Sequence, residues 1–336
     1  MAWHKLLWLV ILLVPIITET ALSKTPEESL NQRPRRSILV VIGASGEEEY
    51  GKAFLEWSKR WRTVFQSDDF SLIDGTSDVK PGEKEHRLQI LDWIGKDSGD
   101  SPDGMLQERW LVLIGHGTHD RTAAKFNLKG PDISADAISK AIAKVKAKWL
   151  IIDGSSSSGP FINALSGENR IVITATKSGA EQNYTRFGEY LSQAISDRST
   201  DLDHDDCVSI LEAFLAASNR VAQFYENEGR LASEQALLDD NGDGRGTPAA
   251  FYRGARPVKA PANGLKLDGP IASRTLVSSF GEPDLRTNEQ RAQSDMIADQ
   301  IELLRARKKE LPEDEYYQEL ERLFLEIAKA NLSIGL

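Results

Sequence analysis

The sequence predicts a three-layer α/β domain built on a mainly parallel sheet, followed by helical and irregular segments and a C-terminal helical hairpin. Two observations carry that expectation. Residues 37–42 (SILVVI), 110–117 (WLVLIGHG), 149–159 (WLIIDGSSSSG) and 170–176 (RIVITAT) contain short apolar runs without polar alternation, the pattern of strands buried on both faces. Between the second and third, residues 134–146 place Ala137, Ile138, Ala141, Ile142 and Val145 at helical spacing. Strand, helix and strand in that length form a parallel βαβ unit.

The elements follow in order. Residues 37–42 form the first strand, and the GASG turn leads into a helix with Tyr50, Phe54, Trp57, Trp61 and Val64 along one side. That turn is a fragment of a dinucleotide fingerprint. It lacks the third spaced glycine and is followed by Glu47, Glu48 and Glu49, where a pyrophosphate would sit, so no nucleotide is expected. A second strand is expected at 70–73 and a helix at 82–94, with His86 on its solvated face. After the central βαβ unit, a loop at 177–185 and a helix at 186–195 close the domain, which spans 37–197. Residues 198–250 read as a helical segment, with helices at 208–229 and 230–238 and an acidic loop beside each. Residues 251–287 are a Pro/Gly-rich linker. Residues 288–336 give two helices, at 288–309 and 312–331. Met296, Ile297, Ile301, Leu303 and Leu304 mark one apolar stripe, and Tyr317, Leu320, Leu323, Phe324 and Ile327 the other. The stripes pack on each other or on the domain; self-association through this hairpin is the sharper alternative.

Composition narrows the function. The 336 residues are 40% hydrophobic and 27% charged, as in soluble globular proteins, and the net charge of −10 with no basic stripe excludes a general nucleic-acid binder. A single cysteine, Cys207, excludes an intrachain disulfide. At the N-terminus, His4 and Lys5 precede 12 apolar residues, 6–17, and then small residues suited to cleavage near Ala21 or Ser23. This is a secretory signal pattern over 1–23, followed by a polar linker at 24–36. A secreted or periplasmic protein is expected, with an uncleaved N-terminal membrane anchor as the alternative.

In parallel sheets ligands bind beyond the carboxyl ends of the strands. His116 and the serines Ser155 to Ser158 fall there, on strand ends expected to be neighbours. His116 has the chemistry of a general base, Ser155 or Ser156 that of a nucleophile, and the Gly117 N–H that of an oxyanion donor. With His119, His116 also makes a candidate metal pair, although a solvated loop histidine is the simpler reading of His119.

At these residues the chain resembles the caspase, metacaspase and legumain superfamily of cysteine peptidases. There a strand ends in His-Gly, a helix follows, and the next strand ends in Asp-Ala-Cys-x-Ser-Gly. The counterparts here are His116-Gly117 and the run Asp153, Gly154, Ser155, Ser156, Ser157, Ser158, Gly159; residues 173–191 are similar to the family's next strand, loop and helix. The resemblance implies a caspase-like fold over about 37–195 and a peptide ligand. No cysteine occupies the nucleophile position. Aligning on Ser158-Gly159 puts Ser156 there, and aligning on Asp153 puts Ser155 there. A serine hydroxyl needs an oriented base to ionise as it attacks, and no carboxylate is evident to orient His116. The expectation is a non-peptidase homologue acting as a binding or scaffold module. The alternatives are a serine-dependent peptide-bond hydrolase and a calcium-stabilised structural protein.

Calcium is expected from the two acidic loops. DLDHDDCVSILE (201–212) puts Asp201, Asp203 and Asp205 at positions 1, 3 and 5, the Cys207 carbonyl at 7, Ser209 at 9 and Glu212 at 12. This resembles an EF-hand loop, except that position 6 is Asp206 rather than glycine. The second loop, from Asp239, has Asp239, Asn241 and Asp243 at 1, 3 and 5, Gly244 at 6 and the Arg245 carbonyl at 7. Its position 12 is Ala250, so its bidentate carboxylate comes from elsewhere or is missing.

Overall fold

The computed structural model describes residues 36–96, 106–120, 122–259, 267–281 and 288–332. The expected export signal and nearly all of the linker that follows it lie outside these residues. The elements in chain order are β1 (Arg36–Ile42), α1 (Glu48–Val64), β2 (Asp69–Asp74), α2 (His86–Gly95), β3 (Glu108–Ile114), β4 (Gly117–His119), β5 (Ala124–Phe126), β6 (Ile133–Ser134) and α3 (Ala135–Ile142). Then come β7 (Lys148–Asp153), α4 (Pro160–Leu165), β8 (Arg170–Thr174), α5 (Phe187–Ala194), β9 (Cys207–Ser209), α6 (Ile210–Asn227), β10 (Leu237–Asp239) and β11 (Thr247–Pro248). The last are β12 (Tyr252–Arg253), β13 (Arg256–Pro257), β14 (Leu276–Ser279), α7 (Asn288–Ala306) and α8 (Glu313–Leu332).

Seven strands form the main sheet in the order β11-β10-β8-β7-β3-β1-β2. The five strands β2, β1, β3, β7 and β8 are mutually parallel. Because side chains alternate across a strand, each strand supplies both faces. Ile38, Val40, Ile42, Trp110, Val112, Ile152 and Ile173 pack under α1, α5 and α6. Leu39, Val41, Leu111, Leu113, Ile151 and Val172 pack under α2, α3 and α4. This is the expected three-layer α/β architecture. A short antiparallel meander of β4, β5 and β6 follows His116, and the Ser134 hydroxyl then caps α3 by accepting the Ala137 N–H.

The structure departs from the sequence reading at three places. First, residues 230–238 are not a helix. α6 ends at Asn227 and is closed by Gly229, whose φ of +61° suits glycine, with the Arg230 N–H returning to the Tyr225 carbonyl. The chain then enters β10, antiparallel to β8 and paired with β11, so the sheet continues past residue 197. Leu231 is 95% exposed, while Ala236 and Leu238 are buried in the core beside the sheet. Second, His86 is buried rather than solvated. Third, the hairpin buries Ile297, Ile301, Leu304, Tyr316 and Leu323, while Met296, Leu303, Tyr317 and Phe324 stay exposed. Arg274 ties the hairpin to the domain through Asp295 and Asp299. Among the described residues, no helix is long and apolar enough to cross a membrane.

Candidate functional site

The carboxyl ends of β3 and β7 are neighbours, with Leu113 opposite Asp153. The His116-Gly117 corner and the serine turn therefore meet, as their strand positions required. The contact is close. A Cβ on Gly117 would lie 2.4 Å from the Ser156 carbonyl oxygen and 2.6 Å from the Ser155 hydroxyl, so only glycine fits there. Gly159 is equally constrained, 2.4 Å from the Lys177 backbone by the same measure.

All four serines are buried. The Ser155 hydroxyl donates to Asp153 Oδ1 at 2.6 Å. The Ser156 hydroxyl donates to the Gly117 carbonyl at 3.1 Å and accepts the Gly117 N–H at 3.2 Å. The N–H that the sequence offered as an oxyanion donor is therefore engaged by the candidate nucleophile itself. Ser157 takes a left-handed φ of 56° and donates its N–H to the Glu181 carbonyl, while Ser158 bonds to Thr176 on the next strand end. The Glu181 carboxylate accepts the N–H groups of Lys177 and Gln235; it braces two loops and is not a free acid of the pocket. Burial pushes the Asp153 carboxyl up to about 6, against the two Ser155 hydrogen bonds that favour its ionised form. Its Oδ2 is buried without a partner.

His116 faces elsewhere. Its Nε2 lies 3.2 Å from the Ser45 carbonyl. A carbonyl only accepts, so the ring proton belongs on Nε2. The ring sits among Tyr50, Phe54 and Tyr184 at centroid distances of 5.3, 5.5 and 6.2 Å. Burial lowers its pKa, opposed by the Ser45 bond. Among the described residues, neither Ser155 nor Ser156 is hydrogen-bonded to it. His119 is exposed on β4, packed against Gly179.

No protein-family model matches the chain, and no curated protein matches it. Among solved structures it is similar to the crystal structure of the Drosophila initiator caspase Dronc. That match has 14% sequence identity and a TM-score of 0.40, covering 71% of this chain and 95% of that one.

Beside His116 a cleft of about 520 Å³ opens between α1, α5 and α6. Tyr50 and Tyr184, stacked at 4.7 Å, form one wall. Opposite, the Arg186 guanidinium lies 3.8 Å from the Phe224 ring centroid, an aromatic–cation contact. The backbone N–H groups of Arg186 and Phe187 are received by the buried Glu234 carboxylate, which holds this corner at the start of α5. Sequence reading missed Glu234, Tyr184 and Arg186, because their roles depend on a loop conformation that no local pattern encodes.

The first acidic loop gathers as its spacing required. Carboxylate oxygens of Asp201, Asp203 and Asp205 lie within 4.8 Å of one another. Asp206, where glycine was expected, adopts φ +62°, a region aspartate tolerates better than most side chains. Burial, and then the neighbouring carboxylates, raise the pKa of Asp203, and burial raises that of Asp205. Ser209 and Glu212 form a capping box at the start of α6, and Cys207 begins β9, which pairs with β14. In the second loop, Asp239 Oδ1 accepts the Gly242 N–H, Asn241 Oδ1 that of Asp243, and Asp243 Oδ1 that of Arg245. Asp239 is fully buried, and its Oδ2 has no partner.

Proposed function

We propose that the chain is an exported caspase-like protein without peptidase turnover, acting as a calcium-binding, peptide-recognising or scaffold module. The observation that carries the non-peptidase reading is the Ser156 hydroxyl, bonded both ways to the Gly117 backbone. To attack a peptide it must leave both bonds, expose a buried oxygen and reach His116, to which it is not hydrogen-bonded. The caspase-like reading is supported by the His-Gly and Asp-to-Ser-Gly strand ends meeting on adjacent parallel strands. The aromatic cleft beside His116 is the surface proposed for the peptide. The oxygen-rich loops at Asp201 and Asp239 are proposed for calcium, a hard ion that takes six to eight oxygen ligands. Self-association is proposed through the exposed apolar residues of the C-terminal hairpin.

The test is hydrolysis of a mixed peptide library by the purified protein, with binding to the same library measured in parallel. Binding without turnover is expected, weakened in Tyr184→Ala. Hydrolysis that disappears in both Ser156→Ala and His116→Ala would promote the serine-hydrolase alternative.

A further inference from the structure

The second acidic loop lacks a carboxylate at position 12, where Ala250 stands exposed. The first loop shows what that carboxylate does in this fold. Glu212 Oε1 accepts the N–H groups of Leu202 at 2.7 Å and Asp203 at 3.4 Å, loop positions 2 and 3. Its Oε2 accepts the hydroxyl of Ser209, position 9, at 2.8 Å. In the second loop the same three positions are occupied by Asp240, Asn241 and Thr247. Their N–H, N–H and hydroxyl converge on one carboxylate, that of Asp268. Oδ1 accepts from Asp240 at 3.0 Å and Asn241 at 3.3 Å, and Oδ2 from the Thr247 hydroxyl at 2.6 Å. Asp268 is 1% exposed and Glu212 3%, so both carboxylates are held inside the fold by matching donors.

We infer that Asp268 is the missing carboxylate ligand of a second calcium site, supplied from within the Pro/Gly-rich stretch in place of position 12. This rests on the calcium reading of the acidic loops. A separate observation points to a ligand here: Asp239, at position 1, is fully buried with Oδ2 unpartnered. A buried carboxylate oxygen without a donor is costly, and a cation compensates it directly. The neighbouring Asp240 carboxylate faces the other way. It accepts the N–H groups of Gly269, Ile271 and Ala272 and so fixes the segment that carries Asp268. Asp240 positions; Asp239, Asn241, Asp243, the Arg245 carbonyl and Asp268 are the proposed ligands, and because the Asp239, Asp243 and Asp268 carboxylates do not all gather within 4.8 Å as those of the first loop do, the ion must draw them together.

The experiment is calorimetric titration of the full chain with calcium alone. Wild type should bind two ions. Asp268→Asn should bind one, with the second weakened about 100-fold or more, and the ion it keeps should be the one lost in Asp203→Ala. Two ions on Asp268→Asn with unchanged affinities would overturn the assignment. So would a wild type that binds a single ion abolished by Asp203→Ala, which leaves the first loop's calcium intact. No binding in the wild type removes the calcium reading and this inference together. Where Asp268→Asn fails to fold, Thr247→Val replaces it. Losing the hydroxyl that orients Asp268 should weaken one ion about 10-fold and the other less; two unchanged affinities again overturn the proposal.

Discussion

Asp153 closes β7 and is fully buried, with one oxygen bonded to Ser155 and the other bare. Its carboxyl is pushed up to about 6 by burial, from an unperturbed value near 3.8. Between those values the folded state binds more protons than the unfolded chain. This group's contribution is therefore most favourable at low pH and is lost as pH rises toward 6, a difference of roughly 3 kcal/mol. Asp153→Asn removes the titration while keeping an oxygen for Ser155. Urea unfolding of both proteins at about pH 7 and about pH 4 should show the variant gaining on wild type at the higher pH. A stability difference that does not change with pH would refute the assignment. The His116 and serine positions were legible because each ends an apolar run in one βαβ unit. What their side chains bond to was not. Ser157 takes a left-handed φ, the Ser155 and Ser156 hydroxyls bond to Asp153 and Gly117, and the His116 partner, Ser45, comes from a turn 71 residues earlier.

At the scale of elements, α6 and the first acidic loop share Glu212, which both caps the helix through Ser209 and closes the loop on Leu202. Glu212→Ala should lower stability even in chelator, by about 1 kcal/mol for the lost cap, and should also abolish the calcium-induced rise in melting temperature. Asp203→Ala, an exposed residue outside the capping box, should lose most of that rise while matching wild type more closely in chelator. Melting curves with and without calcium separate the two; equal behaviour of the variants would deny Glu212 its double role. The hairpin gives a second test. α7 exposes Met296 and Leu303, and α8 exposes Tyr317 and Phe324, each pair seven residues apart and beside a buried stripe. Phe324→Glu should abolish a concentration-dependent rise in mass seen by sedimentation in the wild type; a monomeric wild type at all concentrations removes the self-association reading. Sequence periodicity placed both helices correctly, but adjacent apolar residues such as Leu303 and Leu304 left the buried register open. The segment 230–238 failed for the opposite reason. Its strand exists through pairing with β8, far back in the sequence, and no local pattern carries such pairing.

Across the whole molecule, residues 268–281 form a strap joining the two acidic loops. One end is held by Asp240 and presents Asp268 to the second loop. The middle receives the Leu211 and Ile210 N–H groups at the Ala272 and Thr275 carbonyls, at the start of α6. The far end pairs β14 with β9 of the first loop, and the Phe280 N–H reaches the Asp206 carbonyl. The sequence marked the strap only as part of an irregular linker, because its order comes from carboxylates and strands elsewhere in the chain. An ion that fixes either loop also fixes the strap, and the ordering cost then falls less heavily on the second ion. Binding should therefore be positively cooperative, by about 5-fold or more in affinity. By reciprocity, removing the first site with Asp203→Ala should weaken the second ion by the same factor that Asp239→Ala weakens the first. Calorimetric titration of the two variants measures both factors. Sites that titrate independently in both would show that the strap holds the loops in place without coupling them.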